Sequence, residues 1–182
     1  IVYSDMIEKA LWHIRPYEKV KGKTDRVFEE AMKAGIDAIE AGGGLKLIKA
    51  AKKAAKAFAR IERKKESKPL IGIVGEIFVR THKESNQQLI KHLEQLGCET
   101  YTSSVSEWIE YTTYSGIEDS KNSLRINRNL PNYSKLAKFW LTSKYQRMVA
   151  RFIAYPFKDL IENRLDHSTE HILSEVDGIF SN

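Results

Sequence analysis

The sequence predicts an α/β fold: a small parallel sheet of about three strands, in the order 2-1-3, set into a large helical component. Three observations lead there. Leu70–Val74 is a short continuous apolar run, the pattern of a central parallel strand covered on both faces. Ser85-Asn86-Gln87-Gln88 and Ser104-Val105-Ser106-Glu107 are capping boxes, one opening a helix after the first strand and one after the second. Most of the remaining chain repeats apolar residues at helical rather than strand spacing.

In chain order, residues 3–14 place Met6, Ala10, Leu11 and Ile14 on one helical face and stop before Pro16. Thr24 or Asp25 caps a second helix through about Glu40, and Gly42-Gly43-Gly44 ends it. A basic helix follows over residues 45–66, its stripe running through Leu47, Ala51, Ala54, Phe58 and Ile61 until Lys68-Pro69 breaks it. After the first strand, a helix from Asn86 to Leu96 stops at Gly97, and Cys98–Thr102 is the second strand. A short helix then runs to about Tyr114. Residues 116–132 are polar and read as a long loop. Residues 134–164 return to helical spacing, broken at Pro156. Residues 168–175 form a last short helix, and Val176–Phe180 the third strand. Right-handed crossovers then give a Rossmann-like three-layer unit. Residues 1–66 form a helical N-terminal part, and residues 67–182 the α/β domain with a helical excursion over 117–166.

Composition narrows the class. The chain has 182 residues, 42% hydrophobic and 30% charged, which suits a folded domain with its own core. No apolar run approaches the roughly 18 residues of a membrane span, and Asp5 interrupts any secretory leader. Cys98 is the only cysteine, so a reducing, cytoplasmic setting is expected, and this chain alone can build neither a disulfide nor a four-cysteine metal site. The net charge of +6 is concentrated: residues 46–68 carry +8 and the remainder −2.

In an open parallel sheet, ligands bind at the carboxyl ends of the strands where the strand order reverses. Gly75, Glu76, Ser103, Ser104 and Asn182 are expected to converge there. Gly75 either permits a tight turn or lets the backbone approach a ligand. Glu76 and Arg80 either contact a polar ligand or tie the loop down. Ser104 and Glu107 are site residues or a helix cap. Trp108, Tyr111 and Tyr114 line a pocket or pack a helix on the sheet. No dinucleotide or phosphate-binding glycine motif is present. Only His167 and His171 share a helical i, i+4 spacing, and no metal site is expected.

At Ile71–Arg80, Ser85-Asn86, Leu93–Gly97 and Ser104–Trp108 the chain resembles the 2-hydroxyacyl-CoA dehydratase superfamily, most of all its activase-related branch. The likeness covers residues 68–115, and more loosely 168–182. It implies Rossmann-like units stacked around an iron–sulfur cluster. In such enzymes an ATP-dependent activator injects an electron for radical removal of water from a hydroxyacyl-CoA. By the resemblance Gly75, Glu76, Arg80, Asn86, Ser104, Glu107 and Trp108 border the cofactor or an acyl-CoA-like substrate. Without an initiating Met, and ending just after Ile179-Phe180, the chain reads as a piece of a larger parent. The piece itself is expected to be inert and without cofactor, the cluster belonging to the parent. The alternative is an interaction module whose basic helix 45–66 binds nucleic acid or an acidic partner.

Overall fold

Ten helices and two short strands build the chain in a computed structural model that describes residues 1–161. The N-terminal part is a helical layer: α1 (Val2–Ile14), α2 (Lys23–Glu40) and α3 (Leu45–Ala59). Apolar stripes explain it. Ile7, Ile14 and Phe58 are fully buried, joined by Ala51, Ala54 and Ala55 from α3. Small residues on α3 let the helices approach closely. Gly35 on α2 has the same role, since a Cβ there would lie 2.3 Å from the Tyr3 ring. The Tyr3 hydroxyl donates to Ala31 O at 2.6 Å, and burial pushes its pKa up to about 12.

The cap of α2 comes from outside the expected Thr24 or Asp25. The Glu18 carboxylate accepts from Gly22 N, Thr24 N and Thr24 Oγ1 at 2.6–2.8 Å. The basic helix ends at Ala59 instead of residue 66, and the chain continues extended, bridging Arg63 to Glu18.

The sheet holds β1 (Leu70–Ile73) and β2 (Glu99–Thr102), paired in parallel with Leu70 opposite Glu99 and Ile73 opposite Thr102. Between them lie α4 (Ile77–Thr81) and α5 (Leu89–Gln95). Here the expected fold class is corrected. The described residues form a mostly helical structure with a two-stranded sheet, not a three-strand Rossmann-like unit in the order 2-1-3. The expected third strand, Val176–Phe180, lies outside the described residues, as do the helix over 168–175, His167, His171 and Asn182. Nor is β1 covered on both faces: Leu70 is 54% exposed and Val74, just beyond it, 91%. A continuous apolar run reports strand propensity, and the covering layers have to be supplied by other segments.

The long loop expected over residues 116–132 is a second correction. Helix α6 (Val105–Ile126) runs through most of it, and only residues 127–129 separate it from α7 (Leu130–Ala154). Its polar side chains bond back along the helix, Ser120 Oγ to Gly116 O and Ser123 Oγ to Asp119 O. Packing against α7 stabilises what propensity alone does not. A Cβ at Gly116 would meet the Phe139 ring at 2.5 Å, so the glycine admits the ring. Pro156 breaks the long helix as expected, within a 3-10 turn (Tyr155–Phe157) that leads to α8 (Lys158–Ile161). Phe157 and Ile161 return to the α1–α3 core.

Candidate functional site

Helix α1 organises β2 and the start of α6 through three polar side chains on one face. The Asp5 carboxylate, 4% exposed, accepts from Ser106 N at 2.8 Å, and so caps α6 from across the fold. One turn on, Lys9 meets the Glu107 carboxylate at 2.6 Å, with the ammonium 5.9 Å from the centre of the Tyr101 ring. Another turn on, His13 Nδ1 lies 2.6 Å from Glu99, whose other oxygen accepts from the Tyr17 hydroxyl at 2.7 Å. Burying these groups unpaired would cost several kcal/mol, on the order of 1–3 for each unmet hydrogen bond. Paired, they latch β2 and α6 to α1.

A cavity of about 380 Å³ opens beside the Lys9–Glu107 pair, between α1, α6 and α7. Met6, Ile109, Val149 and Ala150 give it an apolar body, and Lys9, Ser104, Ser106 and Glu107 give it a polar end. Gln146 also lines it, and its Oε1 is buried without a partner among the described residues. An apolar cavity with a few convergent polar groups at one end is the usual form of a small-molecule site.

The residues singled out from sequence divide between several places. Ser104 and Glu107 line this cavity. Ser104 stands at the N-cap of α6, but its hydroxyl makes no cap bond and lies 3.2 Å from Ser106 Oγ. The capping box is therefore replaced by tertiary partners: Asp5 takes the backbone donor and Lys9 takes the glutamate. Arg80 and Asn86 line a separate cleft of about 440 Å³ between α1, α2 and the α4–α5 segment, alongside Trp12, Arg15 and Lys83. Arg80 is 9% exposed. Its Nη1 donates to Thr102 Oγ1 at 3.1 Å and Ser103 O at 2.9 Å, while Asn86 Nδ2 donates to Arg80 O at 2.8 Å. The guanidinium thus ties the loop after β1 to the end of β2.

Glu76 is exposed and caps α4, its carboxylate accepting from Val79 N at 3.1 Å. Arg80 N donates to Glu76 O at 3.0 Å, but among the bonds of the described residues the two side chains take separate partners. Gly75 has a φ of +136°, a turn that only glycine enters without strain. Ser103 is exposed, and the Trp108 ring is half exposed. The second expected capping box, at Ser85, is also displaced. Gln87 and Gln88 take positive φ, and α5 starts at Leu89, whose N–H is accepted by Asn86 Oδ1 at 3.3 Å.

Beside the Arg80 cleft, Arg15 grips Glu94 with two bonds of 2.7 and 2.9 Å and Asp25 with a third of 2.7 Å. Burial works against the Arg15 charge, but these carboxylates outweigh it and hold its pKa above the ordinary value. Asp5, Lys9, His13, Arg15 and Glu99 all escaped the sequence reading, because their partners lie far along the chain. Among the described residues no group of three or more His, Cys, Asp or Glu side chains is placed to hold a metal ion, and no helix is long and apolar enough to cross a membrane. No protein-family model, curated protein or solved structure matches this chain.

Proposed function

We propose that the chain binds a small molecule whose apolar body occupies the cavity between α1, α6 and α7 and whose polar head meets Lys9 and Glu107. The observation that carries this reading is the largely buried ion pair at the end of an apolar cavity, Lys9 being 6% and Glu107 27% exposed in their side chains. The ammonium can donate to a carbonyl or carboxylate oxygen, and Glu107 can accept a hydrogen bond from a hydroxyl or amide. A short hydroxyacyl thioester combines these features. That ligand class also agrees with the motif resemblance at Gly75–Arg80 and Ser104–Trp108, on which the dehydratase-like reading of the parent rests. In that reading the iron–sulfur cluster and the ATP-dependent activator belong to the parent, since Cys98 is the only thiol here. Titration calorimetry with short-chain acyl-CoAs and the matching free carboxylates tests it. Binding weakened at least tenfold by Ala150→Trp, which fills the cavity, and by Lys9→Met is expected. Undetectable binding of every probe, or binding indifferent to both substitutions, would sink it.

A second reading follows from α3. Lys46, Lys49, Lys53, Lys56 and Arg60 are exposed at three- and four-residue spacing, forming one cationic line about 21 Å long at 1.5 Å per residue. We read this line as a contact for phosphates or an acidic partner. It predicts binding of a 20-mer duplex that falls steeply with salt and disappears when Lys49, Lys52, Lys53 and Lys56 are replaced by Glu. Binding that ignores both salt and those replacements would count against it.

A further inference from the structure

Helix α7 carries apolar residues on two opposite sides, and among the described residues only one of them is packed. Ser143 and Ile153 face the interior and are buried. On the outer side lie Leu141, Tyr145, Met148, Phe152 and, one residue beyond the helix, Tyr155, each 51–73% exposed. Their spacing is four, three, four, three. At ~100° per residue the five fall within an arc of roughly 80°, a narrow seam that runs about 21 Å along the helix. Lys138 and Lys144 border the seam on its two sides, and Arg151 stands beyond Lys144; all three are exposed. From Leu130 to Phe157 the chain has five lysines and arginines and not one Asp or Glu.

From this we infer that the outer face of α7 docks an amphipathic helix with acidic flanks, supplied by a partner protein. The 3-4 spacing is that of a coiled-coil seam, in which apolar knobs of two helices interdigitate and the flanking charges choose the partner. The uniform positive flanks decide the occupant. A second copy of this chain would set cations against cations whichever way the helices ran, which is unfavourable at flanking positions. A helix lying on an anionic membrane presents a broad apolar face. Here the seam is only about 80° wide, the width that one partner helix covers, and its bordering cations stand where flanking charges of a helix pair stand. A partner helix with Leu or Ile at the seam and Glu beside it satisfies both the apolar residues and the charges. Tyr145 stands at the edge shared with the ligand cavity, whereas Met148 and Phe152 line the seam and not the cavity.

The test uses the full chain and a fluorescein-labelled synthetic peptide of four heptads, with Leu at the a and d positions and Glu at e and g. Anisotropy should report saturable binding that weakens as salt is raised. Met148→Asp and Phe152→Asp should each weaken it tenfold or more. Both side chains are exposed, so unchanged circular dichroism melts would show the fold intact. Lys144→Glu combined with Arg151→Glu should shift the preference to the matching peptide with Lys at e and g. Equal binding of the two peptides by the unaltered chain would overturn the inference, as would Glu-peptide binding insensitive to Met148→Asp. So would failure of the Glu peptide to bind, and Met148→Asp-sensitive binding of phosphatidylserine vesicles, single-stranded RNA or a second copy of the chain would then identify the true occupant.

Discussion

The helical layer α1–α3 and the sheet with its following helix α6 are held by different forces. In the first, Ile7, Ile14 and Phe58 lose all contact with water, and apolar area supplies the stabilisation. In the second, the apolar residues of β1 stay partly exposed, while Glu99, Thr100 and Thr102 on β2 are buried. Here the attachment is polar: Glu99 to His13 and Tyr17, Asp5 to the α6 backbone, Arg80 to the end of β2. Apolar burial is non-directional and tolerates variation in detail. Polar latches depend on geometry and fail one at a time, so the two regions should respond differently to substitution.

The largest expected effect is in the helical layer. Phe58→Ala removes a fully buried ring and should cost about 3–5 kcal/mol, a large share of the total stability of a small domain. Denaturant titration followed by circular dichroism would measure it. Trp108→Ala, at a half-exposed ring, should cost far less. Equal losses at the two positions would mean that the two regions are held by the same forces.

A smaller and local effect is expected at the latch. Asp5→Ala leaves the Ser106 N–H without its acceptor and should cost about 1–3 kcal/mol. Hydrogen exchange should quicken at the amides of residues 105–108 while α2 and α3 keep their protection. Asp5→Asn retains an acceptor oxygen and should keep most of the protection. If Asp5→Ala instead loosens the whole chain, the latch and the core form one cooperative unit.

Gly116→Ala tests the packing that makes α6 a helix. Propensity alone favours alanine by roughly 1 kcal/mol. The added Cβ would lie 2.5 Å from the Phe139 ring, however, so overpacking at about 1–3 kcal/mol should dominate. In a Phe139→Ala background the same change should become neutral or stabilising. A thermal-melt double-mutant cycle would show the sign reversal.

That residue also shows what was legible in the sequence. The bounds of α1, the buried stripe of α3 and the break at Pro156 follow from local rules, and the structure agrees with each. Helix α6 did not follow, because Gly116, Ser120 and Ser123 look like loop residues until Phe139 arrives from the next helix. The site was half legible. Ser104 and Glu107 were marked by their position after β2, but Asp5, which accepts from Ser106 N, and Lys9, which pairs with Glu107, lie about a hundred residues earlier, and no spacing rule connects them. The fold class failed for a related reason: an apolar run announces a strand, whereas the number of neighbouring strands is decided elsewhere in the chain.

The smallest predicted effect is electrostatic and separates the two regions by pH. Glu8 lies on α1 beside the Arg80 cleft. Burial, and then the nearby Asp5 charge, raise its pKa above the ordinary glutamate value, with Lys83 opposing them. The folded chain therefore holds this proton to higher pH than the unfolded chain. Between the two values the native state binds more protons, so stability falls as pH rises through that window and the full cost remains above it. Glu8→Gln stays neutral at every pH and should melt higher than the unaltered chain at pH 7–8. The advantage should shrink on acidification and vanish below the ordinary carboxylate range, where Glu8 is protonated in both states. Every other ionisable group is common to both proteins and cancels in the difference. A Glu8→Gln protein that melts lower at neutral pH would mean that Lys83 governs Glu8, and that charge fastens α1 to the α4–α5 segment in addition to the Arg15–Glu94 bonds just past the helix.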